Sequence, residues 1–165
     1  MRNRTILFLA SLLIGTGLVG FSFAGWFDLS ALPEPGPLET RIATAGKRWL
    51  VYRESHARTR QEPSATPESL ANGQNLFGAQ CGICHGVDGR TPSEIGRAMY
   101  PRTPDLTSAE EQRWSDSELF WIVRNGIRLS GMPAFGEHLS TKEVWDLVHY
   151  VRRLQTAGQL AGNQE

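Results

Sequence analysis

The sequence predicts an all-α fold. Three stretches carry helix start and stop signals, no stretch alternates well enough for a strand, and one long apolar run opens the chain. The chain has 165 residues, with 17 Lys plus Arg and 17 Asp plus Glu. That balance singles out no partner, and no nucleic-acid partner is expected. The charge is unevenly spread. Residues 1–65 hold eight basic and five acidic side chains, and residues 66–165 hold nine and twelve. A basic arm thus precedes a mildly acidic domain.

Residues 1–4, MRNR, are basic, and residues 5–27, TILFLASLLIGTGLVGFSFAGWF, hold no charged side chain. A helix of about 20 such residues crosses a bilayer, so 5–27 is expected to be a transmembrane anchor. Trp26 and Phe27 stand where interfacial aromatics belong. The rival reading is a signal peptide cleaved after Ala24, because Ser22-Phe23-Ala24 is a small-x-small site. The run exceeds a normal signal core, which favours the retained anchor. The amino terminus, Arg2 and Arg4 face Arg41 and Lys47 across the run, a weak lean toward a cytoplasmic N-terminus.

Residues 28–65 read as a linker. LPEPGPLE, residues 32–39, has three prolines and a glycine and forms a stiff spacer. Beyond it, Leu38, Ile42, Ala45, Trp49, Tyr52 and His56 recur at steps of three and four, one face of an amphipathic helix. This stripe is expected to meet a partner protein or a membrane surface through residues 38–60. Packing on the chain's own domain is the alternative. His56 reads as a solvated residue at the stripe's end. QEPSATPES, residues 61–69, forms a flexible joint.

Residues 66–157 form the domain, with 158–165 as a tail. Thr66 can cap a helix starting at Pro67 that runs through ESLANGQNLFGAQ to Cys81. Ser115 and Glu118 make a capping box ahead of Leu119, Ile122 and Val123, and Gly126 closes that helix. Ser140 and Glu143 make a second box. Val144, Leu147, Val148, Val151 and Leu154 follow as an inner stripe, with Gly158 as the stop. Prolines between the first two helices prevent another long one.

Such a domain has a thin core and needs a staple. The only two cysteines lie in CGICHG, residues 81–86. A disulfide between them closes too small a loop to help much. Structural zinc lacks a second cysteine pair, and a thioredoxin-like site lacks strands. C-x-x-C-H reads as c-type haem attachment: Cys81 and Cys84 form thioethers and His85 binds the iron. Met132, in SGMPAFG, is the expected second axial ligand, because Gly131 and Pro133 shape a loop that can aim its thioether inward. Met99 reads as haem-wall packing. His138 and His149 are the bis-histidine alternatives.

Residues 66–157 resemble a class I c-type cytochrome domain, most like the mono-haem domains carried by membrane-bound respiratory enzymes. NGQNLFGAQCGICHGVDG, TPDLT, ELFWIVRNGIRLSGMPAFG and EVWDLVHYVRRL carry the resemblance. It implies a cytochrome c fold around one covalent haem c. It further implies a Pro104 carbonyl facing His85, and Leu106 packed on the haem. Gly73 and Phe77 should cross the C-terminal helix near Tyr150. Tyr100, Arg102 and Trp114 are candidates for the haem propionates. Attachment outside the cytoplasm supports a cytoplasmic N-terminus and an extracytoplasmic domain. The expected function is single-electron transfer between redox donor and acceptor proteins, within a respiratory or photosynthetic complex. A haem-based sensor or peroxidase-like enzyme with a displaceable Met132 is the alternative. The resemblance does not reach residues 1–65.

Overall fold

The computed structural model describes residues 2–23, 30–56 and 62–162. Its chain divides into two units, residues 1–30 and 31–165. Trp26, Phe27, the Ala24 cleavage site and Arg58 lie outside the described residues, as does the end of the 38–60 arm.

The first unit is helix α1, Arg2–Phe23. Its stretch Asn3–Phe21 is long and apolar enough to cross a membrane.

The second unit is helical, and its described residues contain no strand beyond one isolated bridge, Ile127 to Met132. Helix α2 is Pro37–His56, the arm. Helix α3 is Pro67–Leu76, and α4, Gly82–His85, follows through a single widened turn. Helices α5, Glu94–Ala98, and α6, Asp116–Asn125, lead to the long α7, Thr141–Gly162. The caps lie where the sequence marks them. Thr66 accepts from the Ser69 N–H at 3.1 Å, Ser115 accepts from Glu118, and Ser140 accepts from Glu143.

Helices α3 and α7 cross as a tight pair. Gly73 lies so close to the Asp146 backbone carbonyl that a Cβ has no room, and the Phe77 and Tyr150 rings meet at 5.4 Å. The Asp146 side chain, 2 % exposed, accepts from Asn72 Nδ2 at 2.7 Å and Lys142 Nζ at 3.0 Å. These donors offset the cost of burying a carboxylate. Val144, Leu147, Val148 and Val151 form the centre of the core, as their spacing predicts.

One expectation is corrected. Gly158 does not end α7, which continues to Gly162. A Cβ on Gly158 would meet Thr107 Cβ at 2.9 Å, so this glycine serves a close approach rather than a stop. The apolar stripe of α2 does not pack on the domain, which sets aside the alternative reading of it. Leu38, Ile42, Trp49 and Tyr52 are all exposed, while Val51 and Ser55 turn inward. Lys47 and Arg48 turn toward the Trp114 ring. His56 is exposed and stacks on Tyr52.

Candidate haem site

Cys81, Cys84 and His85 come together at the end of α3. After Leu76 the helix widens into one π-helical turn, Phe77–Cys81, before α4 resumes the tighter winding. Such turns insert one residue and shift the side chains beyond them around the helix. Nothing in the sequence signalled it. Both thiols are unbridged and half-buried. Burial, with Cys84 adding to it, pushes the Cys81 thiol up to about 12, so it stays protonated at neutral pH.

His85 is held from one side. Its Nδ1 lies 3.4 Å from the Pro104 carbonyl. A carbonyl only accepts, so Nδ1 carries the proton and Nε2 keeps its lone pair. Burial lowers the imidazole's pKa, partly opposed by that hydrogen bond. A neutral imidazole with a bare Nε2 is the form that ligates a metal. Two unpaired thiols beside that nitrogen fit a haem c, whose attachment consumes two thiols and takes one imidazole.

The turn is locked by the segment after it. Gly86, at φ 75°, ends α4 and brings its Cα against the Thr91 carbonyl. Asp88 Oδ1 accepts from the Arg90 and Thr91 N–H groups, both at 2.9 Å. These bonds hold the Asp88 carboxyl below its ordinary value. Ser93 caps α5, donates through Oγ to the Ile83 carbonyl at 2.5 Å, and donates its N–H to the Cys84 carbonyl at 3.1 Å. Gly96 stands directly against that same carbonyl.

Met132 comes from a separate loop after α6. Gly126, Leu129 and Gly131 all take positive φ there, at 65°, 66° and 69°. The Ile127 N–H donates to the Met132 carbonyl at 3.2 Å, and a Cβ on Gly126 would meet that oxygen at 2.6 Å. The loop is therefore folded back on the end of α6. Met99 Sδ caps it from outside, 2.8 Å from where a Cβ on Gly131 would lie. Within residues 62–159 the exposed large apolar side chains are Ile83, Val87, Ile95 and Leu129, all in or beside these two segments.

The remaining sequence candidates have the following surroundings. His149 is buried with both ring nitrogens engaged, Nε2 at 3.0 Å from the Pro63 carbonyl and Nδ1 at 3.2 Å from Ser69 Oγ. It ties the strand of chain before α3 to α7 and has no nitrogen left for a metal. His138 is exposed. Trp114 is 2 % exposed and donates through Nε1 to Glu111, so it is a core residue rather than a propionate contact. The Tyr100 hydroxyl donates to Glu39, and Arg102 pairs with Glu34. Leu106 packs against the core, its N–H donating to the Gly89 carbonyl and its own carbonyl accepting from Gln155.

Residues 68–151 match the family model described as cytochrome C oxidase, cbb3-type, subunit III. The quinohemoprotein alcohol dehydrogenase ADH IIB of Pseudomonas putida is 23 % identical over 120 residues. That stretch is 73 % of this chain but only 14 % of the relative's length. The solved structure titled Kuenenia stuttgartiensis reducing HAO-like protein complex Kustc0457/Kustc0458 is 24 % identical, with a TM-score of 0.50. The match covers 61 % of this chain and 54 % of that one. The KustC0563 c-type cytochrome is 32 % identical, with a TM-score of 0.45, over 50 % of this chain and 96 % of that one. The matched span holds the cysteine pair, the histidine and the Met132 loop, and the chain belongs to the cbb3-type cytochrome c oxidase subunit III family of class I c-type cytochrome domains.

Proposed function

We propose that this chain is a membrane-anchored mono-haem c-type cytochrome that passes single electrons as a subunit of an oxidoreductase complex. α1 is its single membrane span, with the N-terminus in the cytoplasm and the haem domain on the extracytoplasmic side. The observation that carries the reading is the turn 81–85, with two unpaired thiols next to an imidazole whose Nδ1 is satisfied by Pro104. Family membership supports electron transfer, and the family's description as an oxidase subunit supports a place beside other redox subunits.

When bound, haem c supplies a one-electron iron couple. The chain's residues hold it in a fixed geometry. Each of the Cys81 and Cys84 sulfurs would form a carbon–sulfur bond to a vinyl group, the thiol hydrogen passing to the other vinyl carbon. His85 Nε2 and Met132 Sδ would hold the iron in both oxidation states, so little would rearrange on transfer. Methionine–histidine ligation raises the potential. The Pro104 carbonyl fixes the imidazole plane and Leu106 adds an apolar wall. With His85 and Met132 both committed to the iron, the chain would relay electrons and leave substrate chemistry to a partner.

Haem staining after acid-acetone extraction and denaturing electrophoresis tests the reading. The stain should travel with the polypeptide and vanish in the Cys81→Ser, Cys84→Ser variant. Covalent haem persisting in that variant refutes the attachment site. Reduced wild-type protein that binds carbon monoxide readily under native conditions would instead favour a sensor or peroxidase-like role.

A further inference from the structure

The arm reaches the surroundings of both candidate axial ligands through one short segment. We propose that Glu34 and Glu39 are positioning residues for the haem iron, acting through residues 99–104 on His85 and Met132. The inference rests on the haem reading above.

Segment 99–104 touches both ligand neighbourhoods. At its start, Met99 Sδ fills the space over Gly131, the residue before Met132. At its end, the Pro104 carbonyl meets His85 Nδ1 at 3.4 Å. Between these points the arm holds it twice. The Tyr100 hydroxyl donates to Glu39 Oε1 at 2.6 Å, and Arg102 Nη1 lies 3.1 Å from Glu34 Oε1. The Thr103 N–H adds a third tie, donating to the Gly96 carbonyl at 3.0 Å, on the helix that abuts Cys84.

These ties are not there for stability. Arg102 and Glu34 are 52 % and 70 % exposed in their side chains, and such pairs contribute little. What they do is set position. Ligating groups work only when held within about 0.5 Å of their productive geometry. Gly131 has no side chain and sits at φ 69°, so the loop under Met132 has no packing of its own on that side. Met99 supplies that packing. Where Met99 stands depends on the backbone of Tyr100, and Tyr100 is bonded to the arm. The same segment sets how firmly Pro104 addresses His85. The seating of the arm is therefore read at both sides of the iron.

The test uses the full haem-loaded chain in detergent micelles. Three quantities are read: the methionine-sulfur-to-iron charge-transfer band of the oxidised protein, the midpoint potential, and the thermal unfolding midpoint. Met99→Ala should cut the band to half or less, and Met99→Leu should keep most of it, because leucine refills the space over Gly131. Glu34→Gln with Glu39→Ala should change the one-electron reduction constant about threefold, about 28 mV at about 59 mV per tenfold. The unfolding midpoint of that double variant should stay near wild type. Tyr100→Phe, which loses one hydroxyl and keeps the ring, should move the potential the same way. A full band in Met99→Ala overturns the proposal, as does a wild-type potential in both the arm variant and Tyr100→Phe. Wild-type protein without covalent haem would instead refute the haem reading. The arm proposal fails alone when loaded variants are indifferent.

Discussion

Arg48 of the arm lies over Trp114, its guanidinium carbon 4.4 Å from the ring centre, while its Nη2 donates to the Glu110 carbonyl at 2.9 Å. Lys47 Nζ stands 5.6 Å from the same ring. The arm thus seats itself with cations on a buried indole and with Val51. Cationic stems cover apolar surface while their charge meets the ring. Arg48→Ala should destabilise the domain by about 1–2 kcal/mol and open the arm to limited proteolysis. Arg48→Lys should recover only part of the loss, because an ammonium cannot stack as a guanidinium does. Wild-type unfolding and protease resistance in Arg48→Ala would show that the contact is incidental.

The α3–α7 crossing makes a sharper prediction. A Cβ on Gly73 would run into the Asp146 carbonyl and stand 2.9 Å from Tyr150 Cβ. Backbone cannot swing aside as a flexible side chain can. Gly73→Ala should cost about 1–3 kcal/mol, or more if the helices must separate. Gly78 is the control. A Cβ there meets nothing within 4 Å, so Gly78→Ala should stay within about 0.5 kcal/mol of wild type. Chemical denaturation of both variants side by side checks this. Equal midpoints would mean the crossing is looser than drawn.

Signals read from the sequence held where the cause was local. The cap at Thr66 and the boxes at Ser115 and Ser140 depend on residues three apart, and all three are formed. The core stripe from Val144 to Val151 depends on helical period alone, and it is buried. Signals failed where a distant element decided the outcome. Gly158 looks like a stop in sequence, and only the approach of Thr107 reveals its use. The stripe on α2 is left exposed as its reading expected, but which residues turn inward beside it was not legible. Lys47 and Arg48 took the inward position because Trp114 offered a ring there. Met99 reads as haem-wall packing, and its place against Gly131 shows only once the two loops are brought together. The motif C-x-x-C-H was legible outright, but the widened turn that carries Cys81 was not.

Met132 should behave as an iron ligand. Met132→Ala should open the iron to exogenous carbon monoxide or imidazole, and Met132→His should keep a low-spin spectrum with a markedly lower potential. The Met132 carbonyl is pinned to the Ile127 N–H just beyond α6, so neither change removes that backbone anchor. Optical titration and potentiometry give the answer. An unchanged spectrum in Met132→Ala, with ligand access gained only in Met99→Ala, would reassign the ligand to Met99.

The exposed face of α2 should be where a partner subunit docks. Leu38, Ile42, Trp49 and Tyr52 are 58–69 % exposed and lie along one side of a helix whose other side is already seated. Aromatic residues in such a position are common interface anchors. A lipid surface is the competing occupant, and it would need free cations beside the stripe. Few are available. Lys47 and Arg48 are turned to Trp114, and Arg53 is paired with Glu54 at 2.7 Å and stacked on Trp49 at 4.8 Å. Among the described residues that leaves Arg41 as the exposed cation of this face. Trp49→Ala with Tyr52→Ala should therefore release the chain from its complex in mild detergent. The chain should remain membrane-bound, with its haem spectrum and unfolding midpoint unchanged, since both side chains face outward. Arg41→Gln with Arg53→Gln should matter less. Co-purification of the aromatic double variant at wild-type yield would leave the arm as a strap on its own domain and remove the main support for a fixed subunit. Loss of membrane association in that variant would instead assign the face to lipid.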